Sequence, residues 1–554
     1  MSQTAAASAQ QPTLFGHPTA LYTLFFAEMW ERFSFYGMRA LLVLYMTQGF
    51  LARNDADAYA IYGAYGALVY ATPFIGGMIA DRFLGARRAV VAGGVLMAAG
   101  HMMMTIEQES AFFLALGLLI VGNGMFKPNI STIVGSLYDG TDMSRDGGFT
   151  IFYMGINLGA AAASLLCGYL GETWGWHWGF GLATVGMCVG IGVFVLPSTL
   201  SRYGVLTTAL AIAAGMAWAS TSPIKLLVNG FVGLAMAVAG VVAFVAMGHG
   251  GLPDAAGRPP SPERLRQPIA GVPAEIALYI GILLSVPVFA LLVSRSEVAG
   301  WVLTLGGGAA LLFLLAEAVR SKAEERDRLF VVFVLMFFSM LFWAFFEQAG
   351  SSITTFTDRN VDRVVGGAEV PASEFQAANP IFIIIFAPVF SWLWAQLGRL
   401  GFEPSTPTKF ALGLFQLGLG FGAMWLGAQY ADERGMVAVS WLLIGYLLHT
   451  TGEICLSPVG LGMVTRLSPT RIVSTVMGAW FLATAFSHHL AAIIATFTAI
   501  DMHDAEGGAA LPNPTETVHV YGDVFGQIGA VAIGASLFCL LLVPLLKRGM
   551  HGEK

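Results

Sequence analysis

The chain has 554 residues, a net charge of −6, 56 % hydrophobic residues and only 11 % charged ones. A water-soluble chain of this length carries roughly a quarter charged residues and splits into several domains. This composition therefore excludes an ordinary soluble protein and requires lipid as the solvent. The 67 glycines agree with that, since glycine is commoner in membrane helices than in soluble ones.

From the N-terminus, Met1 to Pro18 is polar, with no basic run ahead of an apolar core, so no cleaved signal peptide is expected. Apolar segments of spanning length follow at 20–46, 59–80, 88–105, 111–133, 149–171 and 178–196. About 20 residues at 1.5 Å rise cross a ~30 Å hydrocarbon core. Four more segments lie at 204–219, 227–247, 273–293 and 298–319, the first of them short for a span. A second set of six lies at 329–350, 379–398, 408–428, 437–457, 471–497 and 522–546. The expectation is an all-α polytopic membrane protein with 14 to 16 apolar spans. It divides into an N-terminal six-helix bundle (1–200), a linker region with two to four extra helices and a Pro/Arg-rich loop (201–326), and a C-terminal six-helix bundle (327–554).

Loop charges set the orientation. With alternating spans starting inside, nineteen of the 28 Lys and Arg residues fall in inward loops and six in outward ones, and Arg32, Arg39 and Lys127 lie within spans. The positive-inside rule then predicts an even number of spans with both termini cytoplasmic, in a cell inner membrane.

Ionisable residues at mid-membrane cost at least a few kcal/mol and tend to be paired, water-facing and functional. Glu28, Glu31, Arg32, Tyr36 and Arg39 fall on one stripe of the first span. Lys127 sits near the end of the fourth span, Glu347 in the first span of the second set, and Glu453 in the fourth span of that set. Four buried acids face three buried bases, so one carboxylate is left to take up and release a proton. His449, four residues before Glu453, is placed to couple to it; His101, His488 and His489 read as packing or interface residues. Mid-span prolines at 73, 128, 380, 388 and 458 predict kinks.

The four cysteines, Cys167, Cys188, Cys455 and Cys539, lie in apolar stretches without metal-ligand spacing. No phosphate-binding loop, zinc-protease helix or nucleophile elbow is present. Neither metal nor cofactor is expected, no enzyme chemistry, and no nucleic-acid partner.

Several segments together resemble the proton-dependent oligopeptide transporter family of the major facilitator superfamily. They are Glu28-Met29-Trp30-Glu31-Arg32-Phe33, the loop Gly76 to Arg87, Lys127-Pro128-Asn129, and Phe152 to Gly159. In the second half they are Phe342 to Gln348, Asn379-Pro380, Gly452-Glu453 and Ser457 to Gly460. The resemblance implies two six-helix bundles around a central peptide site open alternately to each side. Segments 273–293 and 298–319 match the extra pair of bacterial members, which leaves 204–247 additional. It further implies symport of di- and tripeptides with protons. Carried onto matching positions, Arg39 and Lys127 would take the peptide carboxylate and Glu453 the amine. Tyr36, Tyr70, Asn157, Trp343, Asn379 and Trp480 would line the site. Glu28, Glu31, Arg32 and Glu347 would handle the proton, with Glu347 opposite Arg39. Phe35 and Ala160 depart from the family pattern, and the second span lacks the histidine of animal members. A relative carrying nitrate or an amino-acid derivative is the alternative. Two bases set against Glu453 favour a zwitterion over a simple anion.

Overall fold

The computed structural model describes residues 12–138, 144–269, 271–469, 471–500 and 513–552. Apart from two-residue strand pairings, the regular structure is helical. In the first half lie α1 (Ala20–Gln48), α2 (Asp55–Ile79), α3 (Ala86–Met103), α4 (Glu109–Ser136), α5 (Arg145–Trp174) and α6 (Trp176–Val195). Between the halves come α7 (Ser198–Trp218), α8 (Pro223–Met247), the single turn α9 (Pro262–Arg266), α10 (Ala274–Ser294) and α11 (Ser296–Arg320). The second half holds α12 (Ala323–Phe346), α13 (Ser352–Asn360), α14 (Ala378–Arg399), α15 (Thr406–Gln429), α16 (Val439–Leu467), α17 (Val473–Thr496) and α18 (Pro514–Gly549).

Fourteen helices among the described residues are long and apolar enough to cross a membrane. The helices α1 and α3 stand outside that set, α1 because of the polar stripe it carries and α3 because its 18 residues include Arg87 and Arg88. Each of the sixteen apolar segments of the sequence coincides with a helix. Segment 204–219 is not short: α7 begins at Ser198 and has 21 residues. Its polar first turns stay helical because the Arg202 guanidinium stacks on Tyr203 and on Phe244 of α8, 4.9 and 5.1 Å from the ring centres. Of the expected kinking prolines, Pro73, Pro128 and Pro388 lie inside helices. Pro380 instead occupies the first turn of α14, where a missing N–H breaks no helical bond.

The chain divides into two compact units. One comprises the described residues within 1–41, 72–290 and 365–368; the other comprises those within 42–71, 291–364 and 369–554. The ends of α1 and α2 that flank their connecting turn thus belong with the second half of the sequence. The paired middle helices also separate. The helix α10 packs in the first unit, where Ile282 and Val286 join Leu118, Val121 and Met125 of α4. The helix α11 packs in the second, against α12 and α17.

With lipid on the outside, helix association relies on close backbone approach between small residues. In the first unit Gly93 of α3 and Gly122 of α4 face each other so that a Cβ on either would strike the other's carbonyl oxygen. In the second, Gly413 meets Gly452, and Gly418 meets Gly529, in the same reciprocal way, which ties α15 to α16 and α18. Asp55 at the start of α2 receives both terminal nitrogens of Arg359, at 2.6 and 2.8 Å, and Arg359 also donates to the Tyr521 hydroxyl of α18. Beside it the Tyr59 and Thr355 hydroxyls lie 2.6 Å apart. This buried network fastens the start of α2 to α13 and α18 within the second unit.

Candidate functional site

Two buried polar constellations stand out, one in each unit. In the first, Arg32 of α1 donates from Nε to Glu28 one turn before it at 2.9 Å, and the same nitrogen lies 2.6 Å from a carboxylate oxygen of Glu31. All three side chains are buried, and Glu31 is fully enclosed. From α4, Asn123 donates to Glu31 at 3.3 Å. Lys127 lies one turn further along the same face of α4, close enough to feel the charges of Glu28, Glu31 and Arg32. Its side chain is half-buried. The approach of α5 is set by Gly159, where a Cβ would run into the Met29 carbonyl of α1. Two turns beyond Arg32, the Arg39 guanidinium lies 5.8 Å from the centre of the Tyr36 ring, and both side chains are partly accessible. Asn157 of α5 is buried and donates to the Tyr153 carbonyl of its own helix.

The second constellation depends on a break in a helix. The α-helical turns of α12 stop at Phe346, and Glu347–Gly350 form a 3₁₀ turn before α13 resumes. Gln348 holds the break: its amide nitrogen donates to Ala344 O and, across to α17, to Ala491 O at 2.9 Å, while Ser352 donates to its oxygen at 2.6 Å. A tightened turn with a π- or 3₁₀-type break is a common way to re-aim a functional side chain. Here it delivers the buried Glu347 carboxylate to His488 of α17, 3.6 Å from Nδ1. The Tyr70 ring stacks on His488 with centroids 4.5 Å apart. Trp343, one turn before Glu347, packs against Phe342 and Phe346. On α16, Glu453 accepts from Asn379 of α14 at 2.9 Å, and Asn379 also donates to Thr450 at 3.1 Å. Trp480 of α17 is buried over Gly460 of α16.

In the first unit, then, the structure gathers Glu28, Glu31, Arg32 and Lys127, and adds Asn123. In the second it gathers Glu347, Tyr70, Asn379, Glu453 and Trp343. Tyr70, although on α2, belongs to the second unit. Two histidines differ from the sequence-based expectation. His449 does not couple to Glu453: its ring lies 4.6 Å from the Phe421 ring, facing α15, and among the described residues no hydrogen bond joins the two. A separation of four residues places side chains on one face but does not aim them at each other. His488, expected to be packing, is the residue beside Glu347, whereas its neighbour His489 packs on Gly300 of α11. The sequence offered a faint signal for His488 in a histidine at mid-span, but its partner lies 141 positions away.

The chain as a whole is similar to known proteins. The POT family model matches residues 87–204 and 308–509. The peptide transporter YePEPT of Yersinia enterocolitica is 35 % identical over 557 aligned residues, covering 98 % of each chain. Dipeptide and tripeptide permease A of Erwinia pyrifoliae is 29 % identical, covering 98 % of this chain and 96 % of its own. A crystal structure of the peptide transporter POT in complex with sulfate is 35 % identical, with a TM-score of 0.72 over 98 % of each chain.

Proposed function

This chain belongs to the POT family, and from that membership we propose how its two constellations divide the work of carrying di- and tripeptides with protons by alternating access. The protein is a multi-pass membrane transporter. Glu28, Glu31 and Arg32 form the proton-linked cluster of the first unit. Glu347 with His488 forms that of the second. In this reading Arg39 and Lys127 take the peptide carboxylate, and Glu453, oriented by Asn379, takes the amine. Tyr36, Tyr70, Asn157, Trp343 and Trp480 shape the side-chain space. The ionised and protonated forms of Glu347 favour different conformations in this scheme, which couples its proton to the peptide.

One observation carries the proposal: a buried carboxylate at a helix break, placed 3.6 Å from a buried histidine of the neighbouring helix. A carboxylate so placed can exchange a proton for a change of conformation with a differential affinity of only a few kcal/mol. No cofactor enters the scheme, and the proton is the coupling ion. The direct experiment is uptake of labelled dialanine into proteoliposomes with and without an imposed pH gradient. Uptake should be concentrative only when the outside is acid. Equal uptake under both conditions rejects proton coupling, and no uptake of dialanine at all would return the nitrate or amino-acid-derivative reading to consideration.

The membrane is proposed to be a cell inner membrane, with both termini cytoplasmic. The support is the inward bias of Lys and Arg in the loops. A reporter active only in the cytoplasm, fused after Lys554, should be active; a reporter active only outside should be silent. Lys554 itself lies outside the described residues. The reverse pattern would mean an odd number of spans.

A further inference from the structure

Along the outside of the first unit, α3 and α10 enclose a groove with a cavity of about 530 Å³. Its walls are Val91, Ala92, Val95 and Leu96 from α3, and Ile282 and Leu283 from α10. Val95 and Leu283 are more than half exposed, so the groove opens sideways to the surroundings of the helices rather than inward. One end is different. Arg87 and Arg88 open α3, and Tyr279 lies beside them, all three lining the same cavity. From Arg88 to Leu96 and from Glu275 to Leu283 each helix advances eight residues, about 12 Å. A charged head end therefore sits over an apolar trough of nearly half the thickness of a hydrocarbon core.

The head end is built and held. Gly85 precedes α3 with φ +77°, and its surroundings are filled by the backbone of Gly257, Arg258 and Pro259. The backbone N–H of Arg87 donates to the Gly257 carbonyl at 2.9 Å. Below it, Leu265 of the single turn α9 is buried against Ala80 and Leu84. The loop thus fixes the two arginines at the mouth of the groove. Arg88 is paired with Glu275 of α10 at 2.8 Å, with side chains 40 % and 32 % exposed. No ion pair of the Arg87 side chain is found among the described residues. Among the described residues the Arg87 guanidinium therefore has no carboxylate partner, and Arg88 is held by a partly exposed one with which an anion can compete.

We infer that this groove is a binding site for an anionic phospholipid, with an acyl chain along α3 and α10 and the headgroup phosphate on Arg87 and Arg88. The charge and the apolarity are complementary to that one molecule from end to end. A free phosphate would leave the trough unfilled, and a zwitterionic lipid carries a cationic ammonium group that the two guanidiniums repel. The volume falls within the range of small-molecule sites, and basic pockets between transmembrane helices on the cytoplasmic side take acidic headgroups. The sidedness rests on the orientation proposed above; the binding does not. Because α10 packs on α3 and α4 through this seam, occupancy should also strengthen the attachment of the linker to the first unit.

The test uses the full-length protein, purified and stripped of lipid, with phosphatidylglycerol and phosphatidylcholine of identical chains added back. Binding is read by native mass spectrometry and by the shift in unfolding temperature. Wild type should prefer phosphatidylglycerol, and R87Q/R88Q should lose that preference by about thirtyfold while still binding phosphatidylcholine. R87K/R88K should retain most of it. Leu283→Trp, which fills the trough and leaves the arginines, should weaken both lipids. Inorganic phosphate alone should give no shift. Equal binding of the two lipids by wild type, or a preference unchanged in R87Q/R88Q, overturns the proposal. So does a phosphate shift matching that of the lipid. An unfolding temperature of R87Q/R88Q in phosphatidylcholine equal to that of wild type separates lost recognition from a damaged fold.

Discussion

Glu347→Gln should abolish pH-driven accumulation of dialanine while leaving exchange of labelled for unlabelled peptide across the membrane. Glutamine keeps the shape and hydrogen-bonding reach of a protonated carboxyl but cannot release a proton. One pH unit is worth about 1.4 kcal/mol per proton, so coupled uptake by wild type can reach about a tenfold concentration ratio per unit and per proton. In Glu347→Gln that ratio should fall to about one. The pH profile follows with a definite sign. Wild-type uptake should fall as the outside pH rises, because the driving proton becomes scarcer, whereas exchange by the variant should be flat across the same range. His488→Gln is the companion variant: with its ring 3.6 Å from the carboxylate, its loss should alter the pH profile of driven uptake. A His488→Gln profile identical to wild type would reduce His488 to packing. Wild-type accumulation by Glu347→Gln would move the coupling proton to Glu28, Glu31 or Glu453.

Blocking either end of the peptide should be nearly as damaging as disabling the proton site. Losing one desolvated charged contact costs about 2–5 kcal/mol, which is roughly thirty- to five-thousandfold in affinity. N-acetyl-dialanine and dialanine amide should therefore compete with labelled dialanine far less well than dialanine itself. The variants assign the ends. In Glu453→Gln the penalty for acetylating the amine should shrink, because the carboxylate that received it is gone, while the penalty for amidation persists. Lys127→Gln should show the opposite pattern. The hydrogen bond from Asn379 to Glu453 adds a graded case: Asn379→Ala should weaken amine recognition without removing the charge. Equal competition by all three peptides would rule out recognition of the termini.

The sequence by itself determined that the chain is helical and membrane-embedded, and very nearly where each helix runs. That was legible because lipid imposes a length on every apolar segment and confines charges to loops, and both constraints are written residue by residue. It also determined the polar stripe of α1, since Glu28, Glu31 and Arg32 are helical neighbours and pair within a single turn or between adjacent residues. Family motifs supplied the candidate roles of Lys127, Glu347 and Glu453. What only tertiary structure decided was the set of contacts between helices distant in sequence. A helix that is apolar on every side has no periodicity that says which face meets which neighbour. That is why the contact of His488 with Glu347 could not be read, nor the turning away of His449 toward Phe421. The break at Glu347–Gly350 depends on Gln348 finding the Ala491 carbonyl on α17, a partner that local sequence cannot indicate. The same reason explains why α10 and α11, adjacent in the chain, pack in different units, and why 42–71 leaves its own half to join the other. Local charge and length fix the helices; the steric fit of distant small and aromatic residues fixes how they are assembled.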